Sequence, residues 1–275
     1  MRTYSLNAGE LSLVKQRPDG WQPGQDVAGV VLHAAADGSG PGEGSAVVAY
    51  PEQGGWAERI AVPTRWAAAL PEEVSLEEAA ALPVAGITAL RALRLGGSVL
   101  GRNVLVTGAT GGVGHLAVQM AVAAGARVTA LVTSPGRVAD AQALGAHRVI
   151  TALPDSGLGP FHLVLDGVGG TGLREVAALL APDATIALYG SRGGASQFSL
   201  GDFYQAGAFN AKIVAFISVP TSEGKAADLA VLAALVADGR LKPHIDLITD
   251  WRQTADALAA LARREIRGKA VLTIS

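Results

Sequence analysis

The pattern of apolar and polar residues divides the chain into two parts. Up to about residue 70, short apolar runs such as 27–32 and 46–50 alternate with segments rich in Gly, Asp and Pro, which is typical of short β-strands joined by turns. Near residue 72 the pattern changes. Ser75 and Glu78 have the spacing of a capping box, which predicts that a helix begins there.

From about residue 100, apolar runs alternate with helical patterns. The run 104–107 is short enough for a buried parallel strand, and apolar residues then recur at helical spacing from Val113 to Ala124. Further strands or helices are predicted at 127–132, 135–144, 147–151, 163–165, 175–180, 184–189, 213–217, 223–238, 253–264 and 270–274. This alternation predicts an α/β fold, a Rossmann-type doubly wound parallel sheet covered by helices on both faces.

Composition excludes several classes of protein. The net charge is −2 and the 22 Lys and Arg residues form no long run, so the chain lacks the basic surface expected of a nucleic-acid binder. Mean hydropathy is high at +0.32, yet no apolar stretch reaches the roughly 18 residues that a membrane-spanning helix needs. Residues 1–5 are not followed by the apolar core of a signal peptide. We therefore expect a cytoplasmic protein that binds neither nucleic acid nor a membrane.

The absence of cysteine is the most informative compositional feature. With 0 Cys, the chain has no disulfide, no cysteine nucleophile and no thiolate ligand for zinc. Histidine and carboxylate ligands could still form a metal site in principle. However, the 5 histidines are scattered and no two lie four residues apart. We expect no metal.

A glycine-rich turn between a predicted strand and a predicted helix carries the clearest chemistry. Residues 104–114 read Val-Leu-Val-Thr-Gly-Ala-Thr-Gly-Gly-Val-Gly, in the context that a dinucleotide-binding turn requires. Gly111 lets the backbone approach a pyrophosphate, Gly114 lets the helix pack on the strand, and the helix N-terminus attracts phosphates. We expect Thr110, Gly111, Gly112, Val113 and Gly114 to bind a dinucleotide.

Two classes of enzyme are excluded because the chain lacks their catalytic motifs. The same turn fits the short-chain dehydrogenases, but that family needs Tyr-x-x-x-Lys, and none of the 4 tyrosines has a lysine four residues on. About 100 residues also precede the turn, whereas short-chain enzymes have it near the N-terminus. A hydrolase would need a Gly-x-Ser-x-Gly nucleophile elbow, which does not occur.

The end of the second Rossmann strand favours NADPH over NADH. An NAD enzyme usually carries Asp or Glu there for the ribose 2′-hydroxyl, and segment 130–137 has no carboxylate. The hydroxyls of Thr133 and Ser134 and the guanidinium of Arg137 could hold a 2′-phosphate, because an arginine fork donates two hydrogen bonds to phosphate oxygens.

With these residues in place, the chain resembles the medium-chain dehydrogenase/reductase superfamily, in its zinc-free quinone oxidoreductase-like and enoyl reductase-like branch. The segments that carry the resemblance are Pro-Gly-Gln-Asp at 23–26, Gly-Gly-Trp-Ala-Glu at 54–58, 80–89, Asp-Gly-Val-Gly-Gly at 166–170 and Gly-Lys-Ala-Val-Leu at 268–272. Ser134-x-x-Arg137 stands where NADPH-using quinone reductases carry Ser-x-x-Lys. Residues 1–17 resemble the family's first hairpin.

The resemblance implies a GroES-like substrate domain (1–86, completed by 218–275) and an NADP-binding Rossmann domain (87–217). It implies a homodimer joined near 213–217, and hydride transfer from NADPH to a quinone or an α,β-unsaturated carbonyl compound. Further cofactor contacts are expected at Thr88, Val168, Tyr189, Gly190, Ser191, Arg192, Phe216 and Ile217. Tyr50 is expected at the substrate, and Tyr50 and Thr88 are the candidate proton donors, with the catalytic acid left unassigned because a solvent proton fits equally.

The chain departs from the family in its first domain. Residues 17–23 replace a much longer segment that normally adds an Asn and other polar groups to the active-site floor. The substrate domain is therefore expected to be truncated, with a pocket that is shortened, open or closed by a partner. An alternative is a nucleotide-binding protein of the same fold without redox turnover, such as a sensor or a cyclase-like scaffold.

Overall fold

The structure is a computed structural model that describes residues 1–153, 157–216 and 223–274. The chain forms two compact units. The first comprises residues 1–87 and the described part of 218–275, and the second comprises the described part of residues 88–217.

Short strands and two helices form the N-terminal part of the first unit. These elements are β1 (Thr3–Ser5), α1 (Ala8–Gln16), β2 (Asp26–Val30), β3 (Ala46–Ala49), β4 (Ala67–Ala69) and α2 (Leu76–Ala80). The predicted helix start is confirmed, because the Glu78 N–H donates to Ser75 Oγ (3.2 Å) and the Ser75 N–H donates to Glu78 Oε2 (3.1 Å). The helix α3 (Pro83–Arg94) follows and leads into the second unit.

The second unit alternates strands and helices. Its elements are β5 (Asn103–Thr107), α4 (Gly114–Ala123), β6 (Arg127–Leu131), α5 (Val138–Ala143), β7 (Arg148–Ile150), β8 (Phe161–Asp166), α6 (Gly172–Ala177), β9 (Leu180–Leu188), α7 (Leu200–Gln205) and β10 (Lys212–Ala215). The C-terminal part returns to the first unit with α8 (Lys225–Ala237), β11 (Ile245–Asp250), α9 (Thr254–Ala262) and β12 (Lys269–Thr273).

The second unit is a doubly wound parallel sheet, as the sequence predicts. Its strand order is β10-β9-β8-β5-β6-β7, and every neighbouring pair is parallel. The chain runs outward from β5 to β7 and then returns to β8 on the other side of β5. Ligands of such sheets bind at this reversal, beyond the carboxyl ends of the strands. The fold therefore places a binding crevice beside the end of β5, where the glycine turn begins.

Apolar residues on both faces of this sheet explain the unbroken hydrophobic runs. Val104, Leu105 and Val106 of β5 are all fully buried, as expected for a parallel strand with helices on both faces. On one face Leu105 joins a core formed with residues of β8, α6 and β9, among them Val164, Leu173, Val176 and Ile186.

The first unit has a second sheet of order β11-β12-β1-β2-β3-β4. Its pairs are antiparallel except β11 with β12, which are parallel. The chain therefore combines a parallel Rossmann sheet with a second, mainly antiparallel sheet, which agrees with the predicted α/β fold class.

The resemblance of residues 1–17 to a hairpin is wrong, because α1 (Ala8–Gln16) takes the place of a second strand. The reason is local. A side-chain oxygen of Glu10 accepts a hydrogen bond from the Asn7 N–H (2.9 Å), at the residue that caps the helix, and this bond back to the cap stabilises a helix start. The Asn7-x-x-Glu10 spacing in the sequence is the signal that could have predicted α1. Within the described residues, no helix combines the length and apolar character needed to cross a membrane.

Candidate cofactor site

The glycine turn joins β5 to α4 through a backbone conformation that glycine favours. Gly108, directly after β5, has a φ of 60°, a value that side chains disfavour. A Cβ on Gly114, the first residue of α4, would lie 2.2 Å from the Gly108 carbonyl oxygen, so only glycine lets the helix approach the strand this closely. A Cβ on Gly111 would meet only that same oxygen, at 3.2 Å. Gly114 thus allows α4 to pack closely against the end of β5, whereas Gly111 borders more open space.

The N-terminus of α4 faces the turn. The first N–H groups of a helix have no acceptor within the helix, and they attract anions together with the helix dipole. His115, in this first turn, is buried, and its Nδ1 lies 2.9 Å from the Gly111 carbonyl oxygen. His115 therefore contacts the turn from the α4 side.

Arg137 lies beside this turn. A short 3-10 turn, Pro135–Arg137, follows β6, and Arg137 Nη1 donates a hydrogen bond to Thr110 Oγ1 (3.3 Å). The structure therefore brings together two predicted cofactor residues that are 27 positions apart. Ser134 precedes the 3-10 turn, and Thr133 lines the cavity described below.

Two further loops meet at the carboxyl ends of β8 and β9. The Asp166 carboxylate accepts hydrogen bonds from the N–H groups of Val168 and Gly169, both at 2.7 Å. A Cβ on Gly190 would lie 2.1 Å from the Gly167 carbonyl oxygen, so the loops after β8 and β9 pack backbone against backbone. The sequence resemblance includes Asp166, but its role in fixing the Val168 loop emerges only from the structure.

Tyr189 is held inside this pair of loops. Its hydroxyl donates to the Leu165 carbonyl oxygen (3.4 Å), and burial, followed by the nearby Asp166 charge, raises the pKa of its phenol above the ordinary value. Tyr189 therefore stays protonated at neutral pH.

The other predicted nicotinamide contacts lie in several elements. Ser191 and Arg192, which follow Tyr189, are exposed. The Phe216 N–H donates a hydrogen bond to Leu188 O (2.8 Å). Thr88 is buried in α3, and Ile217 lies outside the described residues.

A cavity of about 220 Å³ opens at this end of the sheet. It lies beyond β5, β6, β7 and β8, with α6 on one side. Its lining residues include Thr107, Leu131, Thr133, Thr151, Leu153, Asp166, Leu173, Glu175 and Val176. Sequence reasoning missed Thr151 and Glu175. Neither belongs to a recognisable motif, and both reach the cavity only because the end of β7 and the start of α6 lie at the same end of the folded sheet.

Tyr50, the predicted substrate residue, lies in the core of the first unit. It is fully buried, and Lys225 Nζ lies 4.3 Å from the centroid of its ring and 4.7 Å from that of Trp66. An ammonium over aromatic faces is a stabilising cation–π arrangement. In this structure Tyr50 therefore has no exposed surface for a substrate. Sequence reasoning missed Lys225, because 175 positions separate it from Tyr50.

Comparison with known proteins agrees with this geometry. Residues 112–231 match the zinc-binding dehydrogenase family. The quinone oxidoreductase-like protein 2 of Bos taurus is 28% identical over 270 residues, which cover 92% of this chain and 76% of that protein. The chloroplast envelope quinone oxidoreductase homolog of Arabidopsis thaliana is 44% identical over 117 residues, but the match spans only 39% of this chain and 36% of the plant protein.

Solved structures extend the similarity to nearly the whole chain. The quinone oxidoreductase of Pseudomonas syringae pv. Tomato DC3000 has a TM-score of 0.85 and 26% identity, covering 99% of this chain and 89% of that one. The Escherichia coli quinone oxidoreductase complexed with NADPH shares the fold at 22% identity, with a TM-score of 0.86 and coverage of 99% and 90%.

The doubly wound sheet with its glycine turn, together with the second β-sheet unit, defines a two-unit protein of dinucleotide-binding type. Within that class, the chain is similar to the quinone oxidoreductase-like proteins of the medium-chain dehydrogenase/reductase superfamily. The chain itself has no cysteine.

Proposed function

We propose that this protein is an NADPH-dependent oxidoreductase that transfers a hydride to a quinone or an α,β-unsaturated carbonyl compound without a metal. The observation that carries the proposal is the hydrogen bond between Arg137 and Thr110 beside the glycine turn, at a strand end that has no carboxylate. A cation fixed at this place favours a phosphate on the ribose over a plain hydroxyl.

The residues present fit a dinucleotide. Gly114 and Gly190 occupy positions where any Cβ would collide with backbone, so the loops keep the close-packed form that leaves their outer edges available to a ligand. The turn from Thr110 to Val113 and the N-terminus of α4 would hold the pyrophosphate. Arg137, with Thr133 and Ser134 nearby in sequence, would hold the 2′-phosphate. Thr110 fixes the guanidinium in advance, which lowers the entropy lost on binding.

The bound nicotinamide would supply the hydride, and the chain would supply orientation and exclusion of water. Thr88, Val168, Tyr189, Gly190, Ser191, Arg192, Phe216 and Ile217 are proposed to surround it. Because the Tyr189 hydroxyl donates to Leu165 O and its pKa is raised, Tyr189 is suited to positioning the loop rather than to giving up a proton. The buried Tyr50 also presents no accessible proton, which leaves Thr88 and solvent as the proton sources we propose.

Two features support a reaction without metal. The chain has no cysteine, and within residues 1–153, 157–216 and 223–274 no three His, Asp or Glu side chains cluster in a way that could hold a metal ion. The zinc named in the family description therefore has no recognisable ligand set among the described residues.

A homodimer is proposed through β10, which lies at the edge of the parallel sheet. Ile213 on this strand is 41% exposed. The neighbouring segments expose Leu200, Tyr204 and Phe209, and the rings of Tyr204 and Phe209 meet edge to face with centroids 6.0 Å apart. An unpaired edge next to exposed apolar side chains favours pairing with a second copy.

The test is oxidation of NADPH, followed by absorbance, with a panel of quinones and enones and with NADH in parallel. We expect turnover with NADPH well above that with NADH. Arg137→Ala should weaken the binding of NADPH by tenfold or more, since a charge-assisted hydrogen bond to phosphate is worth about 1.5–3 kcal/mol. The binding of NADH, which has no 2′-phosphate, should stay nearly unchanged. The control is Arg127→Ala, which removes an exposed arginine at the opposite end of β6.

NADPH binding without turnover on any acceptor would contradict the reductase proposal. It would support instead the alternative of a nucleotide-binding protein without redox activity.

A further inference from the structure

The cavity beyond β5 is sized for one end of a dinucleotide. Pockets for whole drug-sized ligands occupy roughly 300–1,000 Å³, and this one has about 220 Å³. Its walls are largely apolar. Leu131, Leu153, Leu173 and Val176 contribute to them, and this is a suitable surface for the faces of a flat aromatic base.

The polar groups of this cavity fall into two sets. Thr107 Oγ1 accepts from the Gly167 N–H (3.1 Å), and Asp166 accepts from two N–H groups of the loop that follows it. These groups hold the protein together. By contrast, the side chains of Thr133, Thr151 and Glu175 make no hydrogen bond with any residue of the described ranges.

Glu175 differs from the other cavity groups in charge and in hydrogen-bonding character. It lies in the short helix α6, where Leu173 and Val176 are buried, while Glu175 itself is exposed and lines the cavity. An ionised carboxylate only accepts hydrogen bonds. Of the two edge groups by which purines differ at position 6, the amino group of adenine donates, whereas the oxo group of guanine or hypoxanthine accepts. A carboxylate therefore attracts the first and repels the second.

We infer that Glu175 is a specificity-determining residue that selects adenine by accepting a hydrogen bond from its 6-amino group. The inference rests on the proposed function, since it assigns this cavity to the base of the NADPH cofactor. Arg137 and the glycine turn would bind the phosphates, while Glu175 would recognise the base from the opposite wall of the crevice, on the helix that follows β8.

The carboxylate that takes the ribose hydroxyl in NAD enzymes comes from a different place. It follows the second strand of the fold, about 20 residues after the glycine turn, and Thr133 occupies that region here. Glu175 instead belongs to the helix after β8. Its position therefore differs from that of the carboxylate that binds the ribose in NAD enzymes.

The test compares binding of NADPH with that of its hypoxanthine analogue, in which an oxo group replaces the 6-amino group, by isothermal titration calorimetry on the full chain. For the unaltered protein we expect NADPH to bind about tenfold more tightly, the effect of one hydrogen bond to a charged acceptor. Glu175→Ala should reduce this preference to less than about twofold. Glu175→Gln should tighten binding of the analogue, because an amide can donate to the oxo group.

The matched control is Asp183→Asn, which removes one exposed carboxylate from the same unit without touching the cavity. Asp183 has a φ of 58°, a conformation that Asn also tolerates, so this variant should fold and keep the full preference.

Several results would overturn the inference. The inference fails if the unaltered protein binds NADPH and its hypoxanthine analogue equally tightly. It also fails if Glu175→Ala weakens the binding of both nucleotides by the same factor. Tighter NADPH binding in Glu175→Ala, with NADH unchanged, would show that Glu175 acts on the 2′-phosphate instead. If the unaltered protein binds neither nucleotide, the proposed function itself fails, which is a distinct result.

Discussion

Lys269 and Asp26 form a buried ion pair in the first unit, with Lys269 Nζ 2.9 Å from Asp26 Oδ2 and 243 positions of sequence between them. Both side chains are almost fully excluded from solvent. Asp26 also accepts hydrogen bonds from Ser5 Oγ (2.6 Å), Asn7 Nδ2 (2.8 Å) and the Val84 N–H (2.7 Å). This pair therefore fastens β12, at the end of the chain, to β2 and to the start of α3.

Removing either partner of this pair should destabilise the protein strongly. Lys269→Met leaves the Asp26 carboxylate buried without its cation, and a broken buried pair costs about 3–5 kcal/mol. We expect a loss of this size in the free energy of unfolding measured by urea denaturation. The control is Arg263→Met, which breaks an exposed pair with Glu265 and should change little. An equal change in the free energy of unfolding in the two variants would show that the buried pair contributes no more stability than the exposed pair.

The two segments that this ion pair joins could be recognised from the sequence, but their contact could not. Pro-Gly-Gln-Asp and Gly-Lys-Ala-Val-Leu each match a family segment. Local patterns carry no information on pairs this far apart, so the bond between Asp26 and Lys269 became visible only with the sheet order β12-β1-β2.

The pH dependence of stability should reveal a second buried acid, Glu10. Burial, followed by repulsion from Asp26, raises the pKa of the Glu10 carboxyl from 4.5 to about 8 in the folded protein. Between these two values the folded state keeps a proton that the unfolded state releases. Stability should therefore fall as pH rises from about 4.5 to about 8, by at most about 1.4 kcal/mol per pH unit from this group, and level off above.

Glu10→Gln is the variant that isolates this effect in urea denaturation at several pH values. Both carboxylate oxygens accept backbone N–H groups, from Asn7 and Gln25, so the amide should lower stability somewhat at every pH. The informative quantity is the slope: the difference in stability between the variant and the unaltered protein should shrink or reverse with rising pH. A constant difference from pH 5 to pH 8 would show that Glu10 does not titrate in this range.

The second unit could be predicted more completely than the first. Unbroken apolar runs alternating with helical patterns, and a glycine turn, specify the strands and helices of a Rossmann sheet, and β5 and α4 lie where the pattern indicates. The first unit has strands of only three to six residues, which leave little periodic signal, and α1 was missed. In the site, the glycine turn and Arg137 were predictable because they belong to sequence motifs. The contribution of Glu175 to the cavity was not, because it depends on the position of α6 in the folded protein.

Two glycines of the turn should respond differently to alanine. Gly114→Ala places a methyl group 2.2 Å from Gly108 O, so α4 must move away from β5, and both stability and nucleotide binding should be lost. In Gly111→Ala the corresponding distance is 3.2 Å, which small shifts relieve. This variant should melt near the unaltered protein yet bind NADPH at least tenfold more weakly, since the methyl group borders the proposed phosphate path. Thermal melting and calorimetric binding of both variants check this, and unchanged binding by Gly111→Ala would contradict the placement of the pyrophosphate.

The two sheet edges allow a matched test of the proposed dimer. Ile213 on β10 is 41% exposed, and Ile248 on β11, an edge strand of the other sheet, is 55% exposed. If two copies pair through β10, Ile213→Asp places a charge against its counterpart in the second copy, and like charges directly opposite across strands destabilise pairing. Light scattering during size exclusion should then give a dimer mass for the unaltered protein and for Ile248→Asp, and a monomer mass for Ile213→Asp. A monomeric unaltered protein would refute the dimer. If Ile248→Asp disrupts the dimer and Ile213→Asp leaves it intact, the interface lies at β11 of the first unit and not at β10.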